Sequence, residues 1–271
     1  MEWFEAIILG VVQGLTEFLP VSSSGHLVIG RELLGIEASD DLVFEVTVHA
    51  ATVLATIAVF RRQIFSLLAG LFRFRYNDET DYILKIGVAT IPVFIVGIFF
   101  KDFVEGMFGS LTGVAAALLV TAVLLLFSDF ASKIPGKYLP SVPSGEYRNG
   151  ISYWQAFIVG LGQAFAVAPG LSRSGTTIST GLICGVRRDV IAQFSFLMVI
   201  VPVLGEAFLD VVGGEAASSS VGLLPLCLGF VSAFVSGLFA CKAMVALVKK
   251  AKLGWFALYC AIVAILIFIF M

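Results

Sequence analysis

Charged residues are scarce in this sequence of 271 residues. Asp, Glu, Lys and Arg make up 13% of it, whereas a soluble domain carries about 25%. Hydrophobic residues make up 59%, and the mean hydropathy is +1.02. Such a chain cannot cover itself with polar surface, so the composition predicts a polytopic membrane protein. The formal net charge of −2 offers no basic excess for binding nucleic acid.

Several sequence motifs are also absent, and each absence argues against a further class of protein or site. The four cysteines are scattered through apolar segments without a CxxC pair, which favours packing residues over a disulfide or a metal site. Neither GxxxxGK[ST] nor HExxH occurs, which argues against P-loop NTPases and zinc metalloproteases. Glu2 and Glu5 stand where a signal peptide would carry Lys or Arg, so we expect no cleaved leader.

Long apolar runs dominate what remains. A membrane-spanning helix needs about 20 apolar residues, and the segments that satisfy this are 42–60, 82–100, 111–130, 189–211, 220–240 and 253–270. Two more apolar stretches, 3–35 and 151–185, are interrupted by polar residues at 19–25 and 168–175. Each predicts a re-entrant hairpin of two short helices. Irregular backbone at membrane depth is tolerated only inside protein or beside a water-filled cavity, so both breaks are candidate sites.

The basic residues predict the orientation. Segments 61–81, 131–150, 186–188 and 241–252 hold 13 of the 17 Lys and Arg residues. The positive-inside rule places these segments in the cytoplasm. Both termini then face outward, and the two hairpins enter from opposite sides of the membrane.

The two interrupted stretches also resemble each other. An offset of 150 residues aligns identical residues at seven positions, which are Ala6/Ala156, Gly10/Gly160, Gln13/Gln163, Ser22/Ser172, Ser24/Ser174, Gly25/Gly175 and Phe44/Phe194. We therefore predict an all-α membrane domain over 1–271 with six spans and two re-entrant hairpins. Its halves, 1–130 and 151–271, form an inverted repeat joined by a cytoplasmic linker, 131–150.

The second break carries the features of an anion site. Inverted repeats bring their broken helices together near the bilayer midplane, where an arginine costs roughly 2.5–3.5 kcal/mol and is functional by default. Arg173 has a planar fork suited to phosphate, and the following helix points free N–H groups into the same space. Hydroxyls and flexible backbone surround it, at Gly170, Ser172, Ser174, Gly175, Thr176 and Thr177. The alternative is a purely structural pair between Arg173 and Glu17.

The first break carries the groups of an acid–base site. Gln13 and Glu17 are four residues apart and share a helix face, which suits Glu17 to act as a general base or to bind a metal ion. His26 is a candidate base, acid or nucleophile. Hydroxyl groups that could act as nucleophiles or bind substrate follow at Ser22, Ser23 and Ser24. His49 either supports this site or lies at the membrane interface. These groups would face the anion site of the second break, which suggests phosphoryl chemistry on an amphiphilic substrate.

Two motifs, "QGLTEFLPVSSSGH" and "PGLSRSGTT", resemble those of the undecaprenyl-pyrophosphate phosphatases of the bacitracin-resistance type. The resemblance covers essentially the whole chain. It implies a bacterial inner-membrane hydrolase that converts undecaprenyl pyrophosphate to the monophosphate, recycles the lipid carrier of peptidoglycan synthesis and confers bacitracin resistance. It also implies an outward-facing pocket, open to the periplasm, and dependence on Mg²⁺ or Ca²⁺.

Carried over by residue, the family's catalytic serine and histidine fall on Ser23 and His26. Its phosphate-binding residues fall on Ser172, Arg173 and Thr177. Many members have Glu where this chain has Gln13, so the carboxylate role falls on Glu17. Attack by Ser23, by His26 or by water remains open at this stage. A lipid-phosphate flippase or anion transporter with the same midplane site is the alternative function, and a homodimer is one alternative for the assembly.

Overall fold

The computed structural model describes residues 1–36, 41–100, 110–131, 148–205, 221–248 and 252–270. No strand occurs in these residues, in agreement with the predicted all-α class. The helices are α1 (Trp3–Thr16), α2 (Ser23–Leu34), α3 (Asp41–Leu71), α4 (Asp78–Phe99), α5 (Leu111–Ala131), α6 (Tyr153–Phe165), α7 (Arg173–Ile183), α8 (Arg188–Met198), α9 (Leu223–Val248) and α10 (Gly254–Phe270).

Five helical segments in the described residues are long and apolar enough to cross a membrane. They are Val43–Leu71, Asp78–Phe99, Leu111–Ala131, Arg188–Gly205 and Leu223–Leu247. The sixth predicted span, 253–270, is an apolar helix of 17 residues, α10. Most of the predicted linker, 132–147, and the end of the predicted span 189–211 lie outside the described residues.

The two interrupted stretches each contain two short helices. α1 and α2 are separated by residues 17–22, and α6 and α7 by residues 166–172. The hydroxyl of Ser22 accepts a hydrogen bond from the N–H of Gly25 at 3.2 Å and so caps α2. The hydroxyl of Ser172 caps α7 in the same way, with Gly175 N at 3.1 Å. Serine is a preferred N-cap, so each polar run ends the break by starting the next helix.

Small residues allow the first helix of each pair to pack closely on a distant helix. α1 packs along α9, and α6 packs along α4. A Cβ atom added at Gly10 would overlap Ser232 Oγ, and one added at Gly160 would overlap the carbonyl oxygen of Ala89. Such backbone approach through small residues is typical of helix packing inside membranes. These contacts hold the two broken segments within one bundle.

The outer surface of the bundle is apolar. Large side chains such as Phe127, Phe239 and Phe268 are more than half exposed, which a soluble protein would rarely tolerate over so much of its surface. Buried polar groups lie instead in the interior, among them Gln13, Ser172 and Thr177. The fold thus places its polar residues inside and its apolar residues toward lipid.

Candidate active site

The backbone of the first break is held in an uncommon conformation. Ser22 has φ of +68°, in the left-handed region that residues other than glycine rarely adopt. Such a conformation costs about 1–3 kcal/mol and persists where surrounding structure enforces it. Here the conformation lets Ser22 cap α2 while the chain turns back, so that Ser23 in the first turn of α2 faces Glu17 at the end of α1.

The second break is fastened to α5. The hydroxyl of Thr121 accepts a hydrogen bond from the N–H of Ser172 at 3.1 Å and donates to the carbonyl of Gly170 at 3.3 Å. Gly170 has φ of +88°, and a Cβ there would lie 2.5 Å from the carbonyl oxygen of Val114. Glycine is therefore required at this position on both conformational and steric grounds.

The two breaks touch each other. The hydroxyl of Ser174 donates to the carbonyl oxygen of Leu19 at 3.0 Å. A Cβ added at Gly25 would lie 3.2 Å from the Cα of Gly170. The structure thus brings together two loops that are about 150 residues apart in the sequence, as the resemblance between them predicts.

Glu17 is the centre of the polar groups at this junction. Its Oε2 atom accepts hydrogen bonds from Ser23 Oγ at 2.5 Å and from Gln13 Nε2 at 2.9 Å. A guanidinium nitrogen of Arg173 lies 3.6 Å from Oε1, and His49 Nε2 lies 3.7 Å from Oε2. Only 11% of the Glu17 side chain is exposed, against 28% for Arg173, so the guanidinium is the more accessible of the two charges. The carboxylate is therefore positioned to receive the proton of Ser23.

His26 has different partners from those of Glu17. Its Nδ1 atom lies 2.7 Å from the carbonyl oxygen of Ser22, and its Nε2 atom lies 2.8 Å from the hydroxyl of Tyr259 on α10. The two rings are stacked, with centroids 5.6 Å apart and an interplanar angle of 7°. A carbonyl only accepts, so in the neutral ring Nδ1 carries the proton and Nε2 accepts from Tyr259. In this arrangement both nitrogens of His26 are engaged.

The threonines after Arg173 face the interior of the bundle. The hydroxyl of Thr177 is 2.6 Å from that of Ser195 on α8 and 2.8 Å from the carbonyl oxygen of Arg173. The hydroxyl of Thr176 is buried and has no partner among the described residues. Ser24 lies beside the cap of α2, with its hydroxyl 3.4 Å from that of Ser22.

The predicted site residues therefore form three groups. Gln13, Glu17, Ser23 and Arg173 meet directly. The cap and loop residues, Ser22, Ser24, Gly170, Ser172, Ser174 and Gly175, shape the two breaks around them. His26, Thr176 and Thr177 lie on the helices that follow. His26 contacts Tyr259, Thr177 contacts Ser195, and the Thr176 hydroxyl is buried without a partner among the described residues.

Three residues at the site were absent from the sequence prediction. Thr121, Ser195 and Tyr259 are polar residues within apolar spans and belong to no motif. Their only sequence signal is a hydroxyl within a predicted span, which is common in membrane helices because such hydroxyls bond across helices. His49, which the sequence left between two roles, lies beside Glu17.

The oxygen donors around Glu17 fit a divalent cation. The carboxylate, the Ser23 hydroxyl and the Gln13 amide oxygen are hard ligands, and Gln13 Oε1 is buried without a partner in the described residues. Mg²⁺ is usually bound by one or two carboxylates together with water and substrate phosphates. No group of three or more His, Cys, Asp and Glu side chains suited to a metal occurs in the described part of the chain. A cation here would thus be shared with a phosphate ligand.

The fold and the site define a class: a polytopic membrane protein whose two broken helical segments assemble one buried polar site, with a serine, a carboxylate and an arginine at its centre. The family of the bacitracin resistance protein BacA matches residues 6–266. This chain belongs to that family.

Curated relatives extend over nearly the same length. The chain is 52% identical over 269 residues to the undecaprenyl-diphosphatase of Bacteroides fragilis, covering 98% of this chain and 97% of that protein. It is 53% identical over 266 residues to the undecaprenyl-diphosphatase of Parabacteroides distasonis, covering 97% of this chain and 96% of that protein. An undecaprenyl-diphosphatase of Methanobrevibacter smithii is 37% identical over 284 residues, covering 99% of this chain and 97% of that protein.

Proposed function

We propose that this protein hydrolyses undecaprenyl pyrophosphate to undecaprenyl phosphate and inorganic phosphate, recycling the lipid carrier of peptidoglycan synthesis. The observation that carries the proposal is the meeting of Ser23, Glu17 and Arg173 at the junction of the two breaks. Membership of the BacA family and relatives named undecaprenyl-diphosphatase supply the substrate. By the same family membership, an increased amount of this protein confers bacitracin resistance.

In the proposed reaction Ser23 Oγ attacks the terminal phosphorus. Its proton passes to Glu17 Oε2, which already accepts its hydrogen bond at 2.5 Å. The bond between the terminal phosphorus and the bridging oxygen breaks, and undecaprenyl phosphate leaves. Water then attacks the phosphorus of the phosphoserine, the bond from that phosphorus to Ser23 Oγ breaks, and Ser23 Oγ takes the proton back from Glu17 as dihydrogen phosphate is released. We favour Ser23 over His26 because both nitrogens of His26 are engaged.

Arg173 and the start of α7 would bind the phosphate oxygens. The guanidinium offers several donors in a fork, and it is the more accessible partner of Glu17. The first-turn N–H groups of α7 and its positive dipole end favour an anion at the same place. The cap and loop groups at Ser172, Ser174 and Gly175 position this helix start.

We propose Mg²⁺ or Ca²⁺ as the cofactor, held by Glu17 with the amide oxygen of Gln13. When bound, the cation would offset the charge of the pyrophosphate. The donor set of Glu17 and Gln13 supports this assignment.

We further propose six spans, an inverted repeat and a site open to the periplasm of a bacterial inner membrane. Equivalent serine caps at Ser22 and Ser172, and the exchanged packing of α1 on α9 and α6 on α4, support the repeat. Hydrogen bonds from Asn149 to Asp81, and from Arg188 to Asp129, support the grouping of these predicted cytoplasmic connections at one end of the bundle.

The orientation has its own test. In a background without native cysteines, Glu105→Cys is expected to be labelled by an impermeant thiol reagent from outside, and Ser144→Cys only after permeabilisation. Labelling of position 144 in intact cells would reverse the orientation. Light scattering of the detergent-solubilised protein tests for a homodimer.

The decisive experiment measures phosphate release from farnesyl or undecaprenyl pyrophosphate by purified protein, with and without EDTA. We expect cation-dependent release that Arg173→Ala abolishes and Arg187→Ala retains, because 72% of the Arg187 side chain is exposed away from the junction. Ser23→Ala should lose release but still bind the lipid. A folded wild-type protein that releases no phosphate with any cation would instead support the flippase or transporter.

A further inference from the structure

The two histidines of this chain differ in whether one ring nitrogen has no hydrogen-bond partner among the described residues and could bind a ligand. His26 has one nitrogen on the carbonyl of Ser22 and the other on the hydroxyl of Tyr259. His49 Nδ1 lies 2.9 Å from the carbonyl oxygen of Glu45, so this nitrogen carries the proton of the neutral ring. The lone pair of the neutral His49 ring is therefore on Nε2.

That lone pair is next to the carboxylate at the centre of the site. His49 Nε2 lies 3.7 Å from Glu17 Oε2, too far for a direct hydrogen bond. A metal ion binds nitrogen and carboxylate oxygen at about 2.1 Å, which leaves two adjacent ligands about 3.0–3.4 Å apart. A shift of a few tenths of an ångström would let one ion bridge the two atoms.

The bond from Nδ1 to a backbone carbonyl supports a ligand role. Metal-binding histidines almost always donate their other ring N–H to a carbonyl, a carboxylate or water, which fixes the tautomer and the ring orientation. His49 has this arrangement already, and 13% of its side chain is exposed. His26 lacks a free nitrogen for the same role.

A third candidate donor is on Gln13, whose amide nitrogen bonds to Glu17. Gln13 Oε1 is buried without a hydrogen-bond partner in the described residues, while Nε2 of the same amide bonds to Glu17. Leaving a buried acceptor unpaired costs about 1–3 kcal/mol. A bound cation would remove this cost, because amide oxygens are good ligands for divalent ions.

A cation at Glu17 would have to fit among the charges and hydrogen bonds already present around this carboxylate. Arg173 lies beside Oε1, the carboxylate oxygen that this site does not use. Oε2 already accepts from Ser23 and Gln13, so an ion would replace the Gln13 amide N–H and leave the hydrogen bond from Ser23 in place. Arg173 and a dication together exceed the charge of one carboxylate, and the phosphate groups of the substrate would balance the excess.

We propose that His49 Nε2 joins Glu17 Oε2 and Gln13 Oε1 as a ligand of the divalent cation proposed above. Mn²⁺ is the spectroscopic substitute for that cation, because it accepts the same oxygen ligands as Mg²⁺ and Ca²⁺. This inference deepens the proposed function, since it rests on Glu17 serving the reaction. It assigns a ligand role to His49.

Electron paramagnetic resonance on Mn²⁺ tests this site without turnover. Spin-echo modulation detects a directly bound imidazole through its ¹⁴N coupling, and it can be measured on purified protein with Mn²⁺ alone or with farnesyl monophosphate. We expect the coupling in the wild type and in His26→Gln, and no coupling in His49→Gln. We also expect His49→Gln to bind Mn²⁺ about 10- to 100-fold more weakly, and Glu17→Gln to lose it.

Bound Mn²⁺ without nitrogen coupling in the wild type would overturn the proposal. So would coupling that His26→Gln removes and His49→Gln leaves, or a cation-dependent enzyme that binds no Mn²⁺ at millimolar concentration. Size-exclusion profiles matched to the wild type establish that each variant is folded. The test is separate from phosphate release, so a missing hydrolase activity and a missing histidine ligand give different results.

Discussion

Replacing Glu17 by Gln tests the proposed chemistry most directly. The substitution keeps the size of the side chain and its ability to accept a hydrogen bond from Ser23, which the carboxylate now accepts at 2.5 Å. It removes the basic group that would take the proton and leaves Arg173, 3.6 Å away, without its negative partner. A positioned general base contributes roughly 10²- to 10⁴-fold to a rate. We expect kcat to fall by at least the lower end of that range, because the variant also lacks the carboxylate proposed to hold the cation.

The assay is phosphate release from a short polyprenyl pyrophosphate in detergent, at saturating Mg²⁺ and across substrate concentrations. Glu32→Gln is the matched control, because Glu32 is exposed and lies in the last turn of α2, at the end away from the break. It should retain the wild-type rate. Thermal unfolding of both variants separates loss of the base from loss of the fold.

One result would refute this reasoning. A folded Glu17→Gln protein with more than about a tenth of the wild-type kcat would exclude Glu17 as the general base, since the expected minimum effect is about 100-fold. The proton would then have to go to solvent or to another group, and attack by Ser23 would lose its structural support.

Two further predictions follow from packing and hydrogen bonding. Gly160→Ala should destabilise the protein by about 1–3 kcal/mol, because the new methyl overlaps the Ala89 carbonyl; Gly87→Ala, which meets open space, should not, and thermal unfolding of the pair decides. Tyr259→Phe keeps the stacked ring but removes the donor to His26 Nε2. The ¹⁵N resonance of that nitrogen should therefore move in selectively labelled protein, and an unchanged resonance would contradict the hydrogen bond.

The sequence predicted the two breaks but placed them a few residues late. Residues 19–25 and 168–175 were chosen for their polar character, whereas the structure has 17–22 and 166–172 between helices. The difference arises because serine is common both in polar loops and at the start of helices. Ser22 and Ser172 cap the following helices, and the polar residues after them belong to the first helical turn. Composition alone does not separate a polar loop from a polar helix start.

The C-terminal boundary predicted for the span 42–60 also differs from the end of the helix in the structure. It stopped at Arg61 and Arg62, where the apolar run ends, but α3 continues to Leu71. Charged residues end the part of a helix that suits lipid, and not the helix itself, because Arg is a good helix former. Hydropathy therefore predicts the membrane-embedded length better than the helix length.

The individual partners at the site were beyond the reach of the sequence. The offset of 150 residues predicted that the two loops meet, and Glu17 lies near Arg173 as a result. Tyr259 and Ser195 lie outside both interrupted stretches, and only the packing of the helices brings them to His26 and Thr177. Such contacts depend on helix rotation and depth, which hydrophobic pattern does not fix.

The exchanged packing of the short helices has a consequence for biogenesis. The main packing partner of α1 is α9, which begins at Leu223. α1 is synthesised first, so its glycine-containing face is covered only after α9 has been made. α6 needs α4, which is made earlier. Each half of the chain thus supplies the packing partner for the first helix of the other half. Fragments 1–130 and 151–271 are expected to accumulate only when they are produced together, and neither would assemble stably alone in the membrane.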